Sequence, residues 1–415
     1  MIVSKTERQC RLCQTPLRHT FVNLGVSPLA NSFLREEELD RMEPFYPLHV
    51  YVCDECFLVQ LPAVCSPEEI FGEYPYFSSY SDSWLRHAEA YAGCVAARFG
   101  LGPRSLVVEI GSNDGYLLRF FLKKGIPVLG VEPARNVAEA AEAAGIPTVV
   151  KFFSAQTVAE LVAEGKCADL LVGNNVLAHV PELVDFVRGM KLLLRAGGVI
   201  TMEFPHLMRL MAENQFDTIY HEHLSYFSLI TVERVFDEHG LTLFDVEELP
   251  THGGSLRIYA RHAEDSSKPI GQRVTGLKAK ERAAGLTRLD YYLSFGEKVK
   301  ETKRKLPVFL IAAKREGKRI VGYGAPAKGN TLLNYCGIGT DFINYTVDRS
   351  PHKQGHFLPG SHIPIYHPDK IKETKPEYLL IVPWNLKDEI MEQMAYIREW
   401  GGQFIVPIPE VRVYS

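Results

Sequence analysis

Apolar and polar positions along this 415-residue chain fall into three textures. Up to about residue 68 the pattern alternates, as in His49-Val-Tyr-Val-Cys53, which predicts strands. From about 69 to 255, short apolar runs at 105–110, 128–131, 148–150, 169–173 and 198–203 alternate with helical stretches. That order predicts a parallel sheet covered by helices on both faces. A charged helical segment follows over roughly 276–317, with Leu286, Leu289 and Leu293 at helical spacing. Gly285 weakens the case for one continuous helix, and Pro307 is expected to kink it or to end one of two helices. A second α/β set then begins, with strands expected at 319–323, 343–347, 378–382 and 403–406. We see no internal repeat, low-complexity tract or long disordered linker. The chain is too long for one core, and the textures divide it into domains at 1–68, 69–275 and 276–415.

Composition alters this picture little. Apolar content of 46% and charged content of 23% are ordinary for a globular protein. A net charge of -4 offers no basic excess to track a phosphate backbone, so nucleic acid is not expected as a partner. The N-terminus mixes both signs of charge without an apolar core, unlike a secretory signal. No apolar run approaches the roughly 20 residues that span a bilayer, so no membrane association is expected. The cysteines are unevenly placed: four form two CxxC pairs, while Cys65, Cys94, Cys167 and Cys336 are scattered. That distribution suits a metal site in a reducing compartment better than a disulfide framework, and a cytoplasmic monomer is expected.

Cys10-Arg-Leu-Cys13 and Cys53-Asp-Glu-Cys56 each present two thiols on a tight turn. Four thiolates close a tetrahedral shell around Zn²⁺ and leave no position for substrate, so such a metal is structural. Buried cysteines without metal are the alternative. A nucleic-acid-binding ribbon is disfavoured by Asp54 and Glu55 inside the second turn.

The run Glu109-Ile-Gly111-Ser-Asn113-Asp114-Gly115 follows a strand and opens a helix. Glycine there lets the backbone approach a ligand, and Glu132 at the end of the next strand can accept both hydroxyls of a ribose. The loop lacks GxGxxG and carries Asp114 where a pyrophosphate would be repelled. S-adenosylmethionine, which has a cationic methionyl group and no phosphate, suits an acidic loop. A purely structural glycine turn is the alternative. Asn174, Asn175 and His179 follow the fourth strand and can reach the ligand crevice at that sheet edge.

Tyr220-His221-Glu222-His223 is the densest set of proton-handling side chains. Its i, i+2 histidines make a poor metal site, but the set suits acid–base work: a His to take a proton, a Glu to orient it and a Tyr to donate to an oxyanion. A polar surface turn is the competing reading. Tyr74-Pro-Tyr76-Phe77-Ser-Ser-Tyr80 is either a wall over a ligand pocket or packing between domains. Finally, Gly322-Tyr-Gly324-Ala-Pro-Ala-Lys328-Gly329 follows a strand, opens a helix and is followed by Asp348 after the next strand. It suits a diphosphate, with Lys328 as counter-charge, though a ligand-free Rossmann-like domain is also open. An NAD-dependent oxidoreductase using this loop is a further alternative, against which Pro326 and Lys328 argue.

Together these motifs resemble the TDP-sugar C-3 methyltransferases of antibiotic deoxysugar biosynthesis. The two CxxC pairs carry the resemblance with Glu-Tyr74-Pro-Tyr76, the Glu109–Gly115 loop, Asn174-Asn-Val-Leu-Ala-His179 and Tyr220-His-Glu-His223. His252-Gly-Gly-Ser-Leu-Arg257, the Lys328 loop and Pro383-Trp-Asn385 complete the set, in order along essentially the whole chain. The resemblance implies a class I S-adenosylmethionine methyltransferase domain between an N-terminal Cys₄ zinc domain and a C-terminal Rossmann-like α/β domain. It implies that a 4-keto-deoxysugar carried on a nucleotide, TDP in that family, loses its C-3 proton to His223. Tyr220 and Glu222 would then assist or stabilise the enolate, Tyr74 and His179 would line the pocket, and His221 has no assigned role. It further implies that S-adenosylmethionine lies along Glu109, Gly111, Asn113, Gly115, Glu132 and Asn175. The diphosphate would meet Lys328 and Gly324, with Arg257 and Asn385 as further contacts. Methylation of another keto acceptor by the same build remains an alternative.

Overall fold

The computed structural model describes residues 8–415 except Glu73 and Pro75, so the reading of the first seven residues and those two positions of the Tyr74 motif lie outside it. The chain forms two interleaved compact units. The first comprises Met1–Leu17, Cys53–His206 and Leu224–Thr287; the second comprises Arg18–Val52, Leu207–His223 and Arg288–Ser415. The expected segment 1–68 is thus shared, with both cysteine pairs in the first unit and a strand pair in the second. Among the described residues no helix is long and apolar enough to cross a membrane.

The first unit is built on one sheet of β1 (Val107–Ile110), β2 (Val128–Val131), β3 (Thr148–Val149), β4 (Ala168–Asn174), β5 (Leu194–Pro205), β6 (Leu241–Leu249) and β7 (Ser255–His262). Every residue of β1 and β2 is buried, as expected of parallel strands covered on both faces. The order is β3-β2-β1-β4-β5-β7-β6. β1 to β5 run parallel, and β7 is antiparallel to both β5 and β6. This is the class I S-adenosylmethionine methyltransferase fold. Its ligand crevice lies where the connections diverge, between β1 and β4, outside their carboxyl ends. Helix α1 (Asp82–Phe99) starts at Ser81, whose side chain accepts from the Trp84 N–H, and stops at Gly100 with φ 63°. It buries Ala88, Tyr91, Ala92, Val95 and Ala96 in the core beside Val107, Leu170 and Val172.

The second unit pairs His19–Ser27 antiparallel with Tyr46–Val52. Its other sheet contains β8 (Ile320–Tyr323), β9 (Thr346–Val347), β10 (Ile365–Tyr366), β11 (Tyr378–Ile381), β12 (Gln403–Val406) and β13 (Arg412–Tyr414). The order is β10-β9-β8-β11-β12-β13, parallel apart from β13. Here the switch point lies between β8 and β11, so the Lys328 loop after β8 and Pro383-Trp384-Asn385 after β11 open on one crevice.

The helical segment before this sheet differs from expectation. Helix Gln272–Ala284 ends at Gly285, which takes the left-handed conformation (φ 105°). Leu286, Leu289 and Leu293 therefore do not form one stripe: Leu286 is buried after the cap, whereas Leu293 is exposed. Pro307 ends nothing, because helix Phe295–Arg315 runs through it. Val299, Thr302, Leu306, Leu310 and Ala313 form a buried face on either side, and that packing outweighs the roughly 3 kcal/mol that an interior proline costs.

Helix Gln272–Ala284 also contributes a completely buried carboxylate. Glu281 Oε1 accepts from the Leu229 N–H (2.6 Å) and Oε2 from the Ile230 N–H (2.9 Å), capping helix Leu229–Asp237. Oε1 also lies 2.7 Å from Nε2 of buried His206. Glu281→Ala leaves these buried donors unpaired, at about 1–3 kcal/mol each. We expect a clear drop in the urea midpoint and a smaller one for Glu281→Gln; an unchanged midpoint for the alanine variant would show that the cap is not made.

Candidate active site

In the first unit the Glu109–Gly115 loop lies outside β1. Gly111 (φ 65°) and Gly115 (φ 73°) are left-handed, and a Cβ on Gly115 would meet Ile146 Cγ1 at 2.6 Å, so glycine is required there by both backbone and space. Glu109 is wholly buried, and neither carboxylate oxygen has a hydrogen-bond partner of normal geometry among the described residues. Burial raises its pKa well above the usual carboxylate value; the Tyr116 hydroxyl opposes the rise, and Asp114 and Glu132 add to it. Glu132 accepts from the backbone N–H groups of Asn113 (2.9 Å) and Ala134 (3.0 Å), while burial raises its pKa. Asp114 Oδ2 accepts from the Ser79 N–H (3.1 Å), and Oδ1 is buried and unpartnered among the described residues. Three carboxyl groups therefore meet here, two of them holding backbone N–H donors and none with an ion pair among the described residues. These residues fit a cationic ligand carrying a ribose, which is the chemistry of S-adenosylmethionine, and they repel a pyrophosphate.

The tyrosine-rich segment lies on this loop. Asn113 Oδ1 accepts from the Ser78 N–H (2.8 Å), and its amide donates to the Tyr76 carbonyl (3.0 Å). Asn136 binds the Tyr74 backbone on both sides, at 3.0 and 2.8 Å. The described part of the segment thus packs against the Glu109–Gly115 loop and Asn136 within the first unit. Phe71 joins it, with its ring 5.6 Å from Tyr74 and 5.7 Å from His179. Outside β4, Asn174 donates to the Tyr116 hydroxyl (3.1 Å) and Asn175 lies 3.0 Å from His252 Nε2.

Arg257 also belongs to the first unit, and it corrects an expectation. Its guanidinium is buried, 2.6 Å from Glu203 and 3.3 Å from Glu247, and lies 4.4 Å over the Tyr91 ring. Burial would raise Glu203, but His87 and Arg257 outweigh it and hold the carboxylate at about 2. An arginine neutralised in this way is an internal brace for the β5–β7 pair, and we withdraw it as a diphosphate contact.

The second unit holds the other predicted residues together. His223 Nδ1 donates to the Thr218 carbonyl (2.7 Å), which leaves Nε2 as the basic nitrogen, 2.9 Å from the Tyr220 hydroxyl. Buried Glu222 accepts from the Asn31 amide (2.5 Å). His221 faces the opposite way: its Nε2 donates to the Pro47 carbonyl (3.3 Å), and burial lowers its pKa, so it packs as a neutral ring. The segment rests on helix α2 (Ala327–Cys336), where Thr331 donates to the Ile219 carbonyl (2.8 Å). Lys328, in the first turn of α2, donates to Asn385 Oδ1 (2.6 Å) and lies 4.4 Å over the Trp384 ring. Trp384 Nε1 donates to buried Asp217 (2.7 Å). Burial lowers Lys328 to about 8 and raises Asp217 to about 6, each partly offset by the other's charge.

Gly324 leaves no room for a side chain, since a Cβ would meet Pro383 Cδ at 2.6 Å. Asp348, after the next strand, accepts from the Ala325 and Ser350 N–H groups, both at 2.8 Å.

Over 98% of its length the chain is 37% identical to C-methyltransferase NovU of Streptomyces niveus, covering 97% of that protein. The chain belongs to the C-methyltransferase family. Its three matched regions are a putative zinc binding domain (10–71), a methyltransferase domain (84–246) and a C-methyltransferase C-terminal domain (250–409). A ubiquinone biosynthesis O-methyltransferase of Methylobacterium is 36% identical over 24% of this chain and 42% of its own. Among solved structures, the CcbJ methyltransferase of Streptomyces caelestis superimposes with a TM-score of 0.35 at 16% identity, covering 47% of this chain and 95% of that one. This C-methyltransferase is S-adenosylmethionine-dependent, and its methyl-donor domain is the first unit's seven-strand sheet.

The C-methyltransferase's cysteine pairs converge in the first unit, with all four sulfurs within 4.8 Å of one another. Cys10 lies 3.5 Å from Cys56, and Cys13 lies 3.5 Å from Cys53. A tetrahedral shell with metal–sulfur bonds of about 2.3 Å has edges of nearly this length. Among the described residues Cys65, Cys94, Cys167 and Cys336 lie outside the cluster and form no disulfide. Sequence reasoning passed over Asp217, Asn31 and Asn136. Asp217 stands three residues before Tyr220 and was legible as a carboxylate near the histidines; Asn31 and Asn136 carry no local signal. Cys53→Ser should lose bound metal, read by atomic absorption, together with a lower melting temperature; metal lost without a change in melting would show that the cluster does not hold the fold.

Proposed function

We propose that this C-methyltransferase methylates C-3 of a 4-keto-deoxysugar carried on a nucleoside diphosphate, with TDP as the carrier. The observation that carries the reading is the His223–Tyr220 pair, in which the Thr218 carbonyl fixes the imidazole tautomer. Carbon becomes nucleophilic only when it loses a proton, and a C-4 ketone makes the C-3 proton removable. His223 Nε2 takes that proton. The Tyr220 hydroxyl, which holds this nitrogen in place before substrate binds, is the donor for the enolate oxygen. Glu222, tied to Asn31, secures the segment between them. Each contribution is worth roughly 10² to 10⁴ in rate. S-adenosylmethionine, bound along Glu109, Gly111, Asn113, Gly115, Glu132 and Asn175, supplies the methyl group. Tyr74 and His179 belong to the aromatic wall of that unit and act on substrate orientation. Lys328 and Asn385, with the Gly324 turn, receive the diphosphate.

The Cys₄ cluster holds Zn²⁺ as a closed structural site, and the segments 1–68, 69–275 and 276–415 serve as zinc, methyl-donor and sugar-nucleotide parts of one chain. A place in deoxysugar and antibiotic biosynthesis follows from this substrate. The working form is a soluble cytoplasmic monomer.

His223→Asn removes the base and keeps a polar side chain of similar reach. We expect turnover of a TDP-4-keto-deoxysugar to fall at least about 10²-fold with S-adenosylhomocysteine affinity nearly unchanged; turnover within a few-fold of the parent refutes the base assignment.

The phosphate reading has a pH signature. Lys328, lowered to about 8 by burial, loses its charge as pH rises through that value, so TDP affinity should fall between pH 7.5 and 9.5. The carrier's phosphates are ionised across that window, and thymine N3–H begins to lose its proton only at its upper end, so the slope is read over the lower part. Calorimetry with Lys328→Met should show weaker binding and a flat profile; an unchanged parent-like decline in the variant would place the titrating group elsewhere.

A further inference from the structure

The motif His252-Gly-Gly-Ser-Leu-Arg257 has so far explained only a brace. Its first residue has an unusual backbone: His252 is left-handed (φ 54°, ψ 19°), a conformation that side-chain-bearing residues avoid. Gly253 and Gly254 beside it also take positive φ, at 92° and 119°. The turn is held in this shape from several directions. Thr251 Oγ1 donates to Glu203 (2.8 Å), the Gly254 N–H and the Ser255 hydroxyl both donate to the Thr251 carbonyl (2.9 and 3.0 Å), and the Trp84 ring lies 5.3 Å from the imidazole. Glu203 is itself fixed by Arg257 and His87. Strain maintained by this many contacts points to a use for the strained side chain.

His252 meets a second left-handed residue. Asn175, just after β4, has φ 54°, and its N–H donates to the Glu203 carbonyl (2.7 Å). Its side-chain Nδ2 lies 3.0 Å from His252 Nε2. An amide that gives its N–H to an imidazole nitrogen must present its oxygen in another direction. That oxygen, Oδ1, is buried and has no hydrogen-bond partner among the described residues. It is an acceptor held in readiness at the carboxyl end of β4, beside the crevice that also collects Glu109, Asp114 and Glu132.

We propose that His252 is a positioning residue of the methyl-donor site. It sets the orientation of the Asn175 amide, so that Oδ1 accepts from an N–H donor of the nucleoside-amino-acid ligand. The buried Glu203–Arg257–His87 cluster holds His252 to this task. The inference rests on the reading that Asn175 belongs to the S-adenosylmethionine site.

Calorimetry with S-adenosylhomocysteine separates the two. The variants are Asn175→Ala, His252→Gly, His252→Gln, the Asn175→Ala/His252→Gly double and Glu132→Ala, each also followed by thermal melting. Glycine is chosen because it accepts φ 54° without strain, so His252→Gly loses the imidazole while melting is kept or raised. Asn175→Ala and His252→Gly should each weaken binding about 3- to 10-fold. The double variant should bind no more weakly than Asn175→Ala alone, and His252→Gln, which retains an acceptor, should recover most of the loss. Full affinity of His252→Gly alongside a weakened Asn175→Ala, or additive losses in the double variant, overturns the positioning role. Full affinity of Asn175→Ala with loss in Glu132→Ala removes Asn175 from the site, and full affinity in both removes the site reading itself; either overturns the inference.

Discussion

A carboxylate taken out of water needs a cation, a set of hydrogen bonds or a proton; Glu109 at the end of β1 has no hydrogen bond of normal geometry among the described residues, and burial raises its pKa well above the usual value, toward the protonated form. The loop around it depends on that fact. The donors that reach Asp114 and Glu132 are backbone N–H groups from Ser79, Asn113 and Ala134. Such donors fix carboxylates without cancelling their charge. The loop is thereby held rigid around its carboxyl groups, and a cation brought to it would relieve the cost of their burial. The same constraint separates this loop from a dinucleotide site built on the same strand–turn–helix plan, where an anion is drawn to backbone N–H groups.

The second unit treats charge in the opposite way. Lys328 and Asp217 are buried beside one indole and partly neutralise each other, with Asn385 and Trp384 supplying the remaining hydrogen bonds. The result is two groups titrating much nearer neutrality than their usual values. Asp217 also lies in the turn that continues through Thr218 to His223, so the His223 imidazole and the buried lysine are set by one short stretch of chain. His221 shows how strict that stretch is: one residue from Glu222 and two from His223, it turns away to pack as a neutral ring against Tyr46 and Pro47.

Much of this was legible in the chain because the informative signals are local. The parallel strands appear as apolar runs, and β2 and β12 fall on their expected bounds. The CxxC pairs and the two glycine loops state their geometry within a few residues. What escaped was set at long range. Whether Pro307 breaks a helix depends on the packing of Leu306 and Leu310, which its neighbours in sequence do not record. Arg257 reads as an available cation until the fold places Glu203 and Glu247 against it. Asn31 meets Glu222 across 191 positions, and no periodicity announces such a pair. The tyrosine-rich stretch was recognised as unusual, yet its placement needed Asn113 and Asn136.

The interleaving of the two units also bears on how the chain is made. Phe21 stacks on Phe295 (4.8 Å between ring centres) and Ala30 accepts from Asn330, so strands synthesised among the first find their packing partners among the last. At a ribosomal pace of about 5–20 residues per second, that interval lasts tens of seconds. The cysteine pairs close far sooner, since Cys10 and Cys56 are 46 positions apart. The nascent chain therefore carries its four clustered cysteines long before the strand pair, with its buried face (Phe21, Leu48, Val50), meets Phe295. During that wait the strand pair exposes apolar surface that the finished chain buries.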